Sequence, residues 1–75
     1  MMNKWILKSL SNTQRVVVER VTIKGEDRVE IRKEYRKSTD SDWMSSKGIT
    51  IPVKSIPKLI TILKEISNKE VNGNE

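Results

Sequence analysis

Hydrophobic and polar positions alternate along most of the chain, with a period that changes once. Arg15 to Lys24 reads RVVVERVTIK and is rich in the β-branched residues that favour strands. Val16 and Val18 share one phase, whereas Val21 and Ile23 share the other. A β-bulge is therefore predicted near Glu19 and Arg20, where one extra residue would bring all four onto one face. Gly25-Glu26-Asp27 reads as a short hairpin connection, with Gly25 able to take a positive φ. Arg28 to Lys37 reads RVEIRKEYRK. Val29 and Ile31 alternate there with Arg28, Glu30 and Arg32, the pattern of a half-buried strand. Lys33 then falls in the apolar phase, followed by Tyr35. Ser38 to Asp42 is polar and unpatterned, a loop. In KGITIPV, Lys47 to Val53, the residues Ile49, Ile51 and Val53 alternate with Gly48 and Thr50. Pro52 lacks a ladder donor and marks a strand end or a sheet edge.

After Val53 the period becomes helical. Ser55 to Asn68 carries Ile56, Leu59, Leu63 and Ile66 at helical spacing, with Ile60 and Ile62 on the flanks. Ser55 is a candidate N-cap, and Pro57 falls in the first turn, where its missing N–H costs nothing. The apolar arc is wider than a helix lying on one sheet needs, so the six residues are candidates for a dimer interface. Asn3 to Leu10 reads either as a strand beginning at Trp5 or as one or two helical turns. Residues 1–68 are expected to form one domain and residues 69–75 a flexible tail.

Length makes self-association more pressing. A chain of 75 residues has a marginal core and usually needs disulfides, a metal or a partner subunit. It contains no cysteine and no histidine, which excludes disulfides, thiolate metal sites and the commonest zinc ligand. A homodimer is the remaining stabiliser, and no metal or cofactor is expected. Met1 to Leu10 has only the apolar pair Ile6 and Leu7 before Lys8, so it is neither a signal segment nor a membrane span. An intracellular protein, cytoplasmic or nucleoid-associated, is expected.

Charge points to a partner. The net charge is +5, and residues 1–39 hold ten Lys or Arg against five Asp or Glu, whereas residues 40–75 hold five of each. A polyanion is the natural complement of such an asymmetry. The outward phase of the second patterned strand holds Arg28, Glu30, Arg32, Glu34 and Arg36, and Lys24 can join it from across the hairpin. This set is either a phosphate-tracking stripe or a solvated face of cross-strand ion pairs. The aromatic residues are Trp5, Tyr35 and Trp43. Trp5 reads as a core residue. Tyr35 and Trp43 lie among basic residues, where each is either a base-stacking ring or core cover. Nothing resembles a nucleophile–base pair, a glycine-rich phosphate loop or a metalloprotease motif, so an enzyme is not expected.

The sequence V-E-I-R-x-x-Y from Val29 to Tyr35, then a polar hairpin, then K-G-I-T-I from Lys47, then a helix ending L-K-E-I at Ile66, resembles the positive cofactor four family of single-stranded-DNA-binding transcriptional coactivators. The resemblance runs from about Arg15 to Ile66. It implies an α+β fold: a curved four-stranded antiparallel sheet followed by one C-terminal amphipathic helix, dimerising through the helix. It implies basic, aromatic-lined grooves, with Lys24 and Arg32 on the DNA-binding face, Tyr35 stacking on bases and Lys47 as the lysine of a K-G-I motif. The family's coactivators carry an aromatic where this chain has Ile23, a lysine in place of Glu26 and an arginine in place of Ser46; Lys37 and Trp43 are candidate replacements. Their serine-rich N-terminal region has no counterpart here.

The expectation is non-enzymatic, sequence-tolerant binding of single-stranded DNA, with RNA as second candidate, in transcription, replication or repair. Lys24, Arg28, Arg32, Lys37 and Lys47 would meet phosphates, and Tyr35 and Trp43 would stack. Proteins of transcription or replication are candidate partners. Two alternatives remain. If Asn3 to Leu10 is a helix, the order α-β-β-β-α is that of double-stranded-RNA-binding domains. Alternatively, the basic face or the wide helix binds an acidic protein.

Overall fold

A computed structural model describes residues 3–73. The chain forms an antiparallel sheet followed by one helix: β1 (Lys4–Ser11), β2 (Gln14–Ile23), β3 (Glu26–Tyr35), β4 (Met44–Ser45), β5 (Ile49–Pro52), a 3-10 turn (Val53–Ser55) and α1 (Ile56–Gly73). Strand β3 pairs with β2 along one edge and with both β4 and β5 along the other. The last two are halves of one interrupted fourth strand. Tyr35 opposes Met44 and Ile31 opposes Ile49, so Ser46, Lys47 and Gly48 lie opposite only Arg32 and Lys33. That surplus residue is a β-bulge. Gly48 makes it possible: a Cβ there would lie 2.4 Å from the Ile31 carbonyl oxygen and 2.7 Å from the Arg32 Cβ. The close approach at this glycine is thus to the chain's own neighbouring strand.

The ambiguous N-terminal segment is a strand, so the α-β-β-β-α order does not form. Strand β1 carries two register shifts, one between Ile6 and Lys8 and one between Ser9 and Ser11. By contrast, β2 and β3 pair without interruption from Gln14–Tyr35 to Ile23–Glu26. The bulge predicted near Glu19 and Arg20 is absent. A strand paired on both sides can take an extra residue only if both neighbours follow it, whereas an edge strand is free to bulge. The two phases of β2 therefore point to opposite faces. The turn also sits one step earlier than expected. Ile23 pairs with Glu26, leaving Lys24 and Gly25 as a two-residue loop with φ of 52° and 78°. Positive φ at both positions is the type I′ turn that fits the twist of a tight hairpin.

The helix starts immediately after Ser55 and places Pro57 in its first turn. It continues through Gly73, past the tail boundary at Asn68. Glu65 and Lys69 form an i,i+4 pair at 3.7 Å in this last stretch, in the orientation that favours helix. No helix among the described residues is long and apolar enough to cross a membrane.

The core is very small. Val17 is the one fully buried hydrophobic side chain among the described residues. Among the described residues, helix α1 packs substantially only on the 3-10 turn that leads into it. Of its apolar residues, Ile56 and Leu59 are half-buried, and Ile60, Ile62, Leu63 and Ile66 are exposed. The six span an arc of roughly 160° at about 100° per residue. The radius of gyration is 15.1 Å, against about 11 Å for a compact chain of this length.

Candidate nucleic-acid interface

Because cross-strand partners share a face, the pairing register sorts the side chains into two surfaces. One carries Arg15, Val17, Glu19, Val21 and Ile23 of β2 with Glu26, Arg28, Glu30, Arg32 and Glu34 of β3. Lys4 and Ile6 join it from β1. The opposite surface carries Trp5 and Lys8 of β1, Gln14, Val16, Val18 and Arg20 of β2, and Asp27, Val29, Ile31, Lys33 and Tyr35 of β3.

The first surface is an ion-pair network. Arg32 donates to Glu19 and Glu30 at 2.7 Å and to Glu34 at 3.0 Å. Its side chain is only 10% exposed. Glu34, 3% exposed, also accepts from Lys4 and from Arg15, each at 2.8 Å. Burial alone would push the Glu34 carboxyl up, but the hydrogen bonds from Lys4, Arg15 and Arg32 outweigh it and hold the group at about 2. Burial likewise opposes the Arg32 charge, and its bonds to Glu19, Glu34 and Glu30 overcome that and raise its pKa. Val17, opposite both Arg32 and Ile6, lies sealed beneath these side chains. Lys4, Arg15 and Arg32 are thus matched by Glu19, Glu30 and Glu34, and the cluster is neutral.

The stripe expected to track phosphates is consequently spoken for. Arg32 is saturated by carboxylates. Arg28 is bound to Glu26 and to Thr50, whose Oγ1 lies 3.0 Å away. Lys24 stands exposed at the hairpin corner beside Arg28, over a shallow depression of about 370 Å³ that Ile23, Glu26 and Thr50 also line. Trp43 is half-buried at the other end of this surface. The guanidinium carbons of Arg15 and Arg36 each lie 4.1 Å from its ring centroid, so its π surface already holds cations. Arg36 also clamps the β1–β2 turn through two bonds to the Asn12 carbonyl, at 3.0 and 2.8 Å. Tyr35 is on the opposite surface, paired with Gln14 and Met44. Tyr35 and Trp43 do not form one platform, and Arg28 and Arg32 do not share a surface with Tyr35.

The second surface is different in kind. Its single carboxylate on β1 to β3 is Asp27, which pairs with Arg20 at 2.8 Å. Lys8 and Lys33 are exposed and form no ion pair among the described residues. Both oppose Val16, so they stand in one row on either side of it. Tyr35, 39% exposed, stands two residues from Lys33 on the same strand. Lys37 and Lys47, also exposed and without an ion pair among the described residues, follow Tyr35 in the chain and occupy the bulge opposite Lys33, respectively. Lys8 and Lys33 were not among the sequence-derived candidates. The signal for Lys33 was its place in the apolar phase, away from the alternating Arg and Glu residues. Lys8 could not be placed from sequence, because the β1 bulge at Leu7 decides which way it faces.

No protein-family model matches this chain, and neither the curated proteins nor the solved structures include a significant match to it.

Proposed function

We propose that this chain is a non-enzymatic, homodimeric binder of single-stranded nucleic acid, principally DNA, and that the lysine-bearing surface of its sheet is the binding surface. One observation carries the reading: the glutamates of β2 and β3 gather on one surface, where arginines neutralise them, and the lysines on the other are left uncompensated. A polyanion gains most where cations have no internal partner, because each neutralised phosphate releases counterions. Tyr35 adds a ring beside Lys33 for sequence-tolerant stacking. Lys37 and Lys47 extend the positive rim.

The dimer is supported by area. The chain exposes 6149 Å², whereas a monomer of its mass exposes about 4,700 Å². The excess is larger than the roughly 800 Å² that each partner of a standard interface contributes. The helix face of Ile60, Ile62, Leu63 and Ile66 is where such area is apolar and contiguous.

Anisotropy titration with a single strand and with a duplex of equal length, at several salt concentrations, tests the reading. Single strands should bind more tightly, with a log–log salt slope of about −0.7 for each phosphate contacted. The double variant Lys8→Ala, Lys33→Ala should flatten that slope by one to two contacts' worth. A duplex preference, or a slope unchanged in the double variant, refutes the assignment. Absence of binding to any oligonucleotide at low salt would favour an acidic protein partner instead.

A further inference from the structure

We infer that Trp5 is a second base-stacking ring, and that a bound single strand crosses the sheet obliquely from Trp5 on β1 to Tyr35 on β3, with its intervening phosphates on Lys8 and Lys33. The inference rests on the lysine surface being the binding surface and adds the course and length of the strand on it.

The cross-strand rows set the arrangement. Trp5 lies in a row with Val18 and Ile31; Lys8, Val16 and Lys33 form the next; Gln14 and Tyr35 form the one after. The order across the surface is therefore ring, two cations, ring. In an unbroken strand Trp5 and Lys8, three residues apart, would face opposite ways. The register shift at Leu7 brings them to the same side. Trp5 is 50% exposed although it is among the largest apolar side chains in the molecule, so it serves the interior poorly. It stands on the edge strand, where a nucleic-acid chain can enter without crossing another element.

The spacing sets a length. Trp5 and Tyr35 are about 13 Å apart along the strands and about 10 Å apart across two strand intervals. The diagonal is thus roughly 16 Å by that same geometry. A stacked single strand advances about 3.4 Å per nucleotide, so the two rings are separated by at most about five nucleotides. A more extended strand covers the gap with fewer.

Titration of the full chain with labelled oligothymidylates of two to ten nucleotides tests this. Affinity should rise about tenfold between the dimer or trimer and the hexamer as the second ring engages. Trp5→Ala should remove that step and leave the shortest oligomers bound as in the wild type. Trp5→Phe should keep it, and a thermal melt of each variant establishes that it is folded. If folded Trp5→Ala binds the decamer as tightly as the wild type, or loses affinity equally at every length, Trp5 is not a second ring, and the broader reading stands. If the wild type binds no oligothymidylate at any length, the binding surface itself is misassigned and this inference falls with it.

Discussion

Replacing Glu34 with glutamine probes the polar network that stands in for a core. The change keeps the shape of the side chain and removes the charge shared by Lys4, Arg15 and Arg32. The carboxyl is held at about 2 against an ordinary 4.5. At about 1.4 kcal/mol per unit, that gap sets an upper bound of about 3.4 kcal/mol on what the charged form contributes at neutral pH. Lys4 is partly exposed, at 39%, and solvent screens its share, so a loss of about 2–3 kcal/mol is expected. At roughly 0.05–0.15 kcal/mol per residue, a domain of this size has about 4–11 kcal/mol in total. Glu34→Gln should therefore lower Tm by about 10–20 °C. Because the folded-state pKa is depressed, the contribution is complete above the unfolded value and disappears as pH falls through the folded one. Wild-type stability should drop between about pH 4.5 and pH 2, and the variant should lack that component. Urea unfolding at matched protein concentration, repeated across that range, measures both effects. A variant within about 0.5 kcal/mol of wild type at neutral pH, with the same acid profile, would show that the network is only a surface ornament.

Two further substitutions test the frame around the proposed surface. Gly48→Ala puts a methyl group 2.4 Å from the Ile31 carbonyl oxygen; it should cost about 2 kcal/mol or more through displacement of the bulge, read by denaturant unfolding, and no change in stability would mean that the β4–β5 junction yields freely. Leu63→Glu places a charge in the middle of the apolar helix face; it should shift the protein from dimer to monomer in analytical ultracentrifugation and lower Tm in a concentration-dependent way, and an unchanged sedimentation coefficient would exclude that face as the contact.

The elements that were legible in the sequence are those whose pattern one strand or helix decides alone. The alternation of Val29 and Ile31 with charged residues placed β3, and the spacing of Ile56, Leu59, Leu63 and Ile66 placed α1. Gly25 marked the hairpin, although Lys24 shares its left-handed geometry. Pairwise features were harder to read. The two apolar phases of β2 suggested a bulge because a single buried face was assumed. The strand instead keeps strict register, and its valines serve both surfaces. The bulge belongs to β1, where no outer neighbour resists it. The basic stripe was visible, but its partners were not. Glu30 and Glu34, each two residues from Arg32, were a sign that this phase pairs internally, and Lys33 in the other phase was the residue left over. Trp43 lies outside any periodic segment, and one of its two arginines, Arg15, comes from a distant strand.

The irregular pairing of β1 bears on how such a domain tolerates insertions and deletions. Leu7 and Leu10 are surplus residues in an outermost strand, and removing or adding one there alters a local looping-out without inverting the strand on either side of it. A codon gained or lost inside β2 would turn half of that strand over between two fixed neighbours, sending Val17 outward or a glutamate across to the lysines. Length variation should therefore accumulate in the first strand, and the second should keep a constant count.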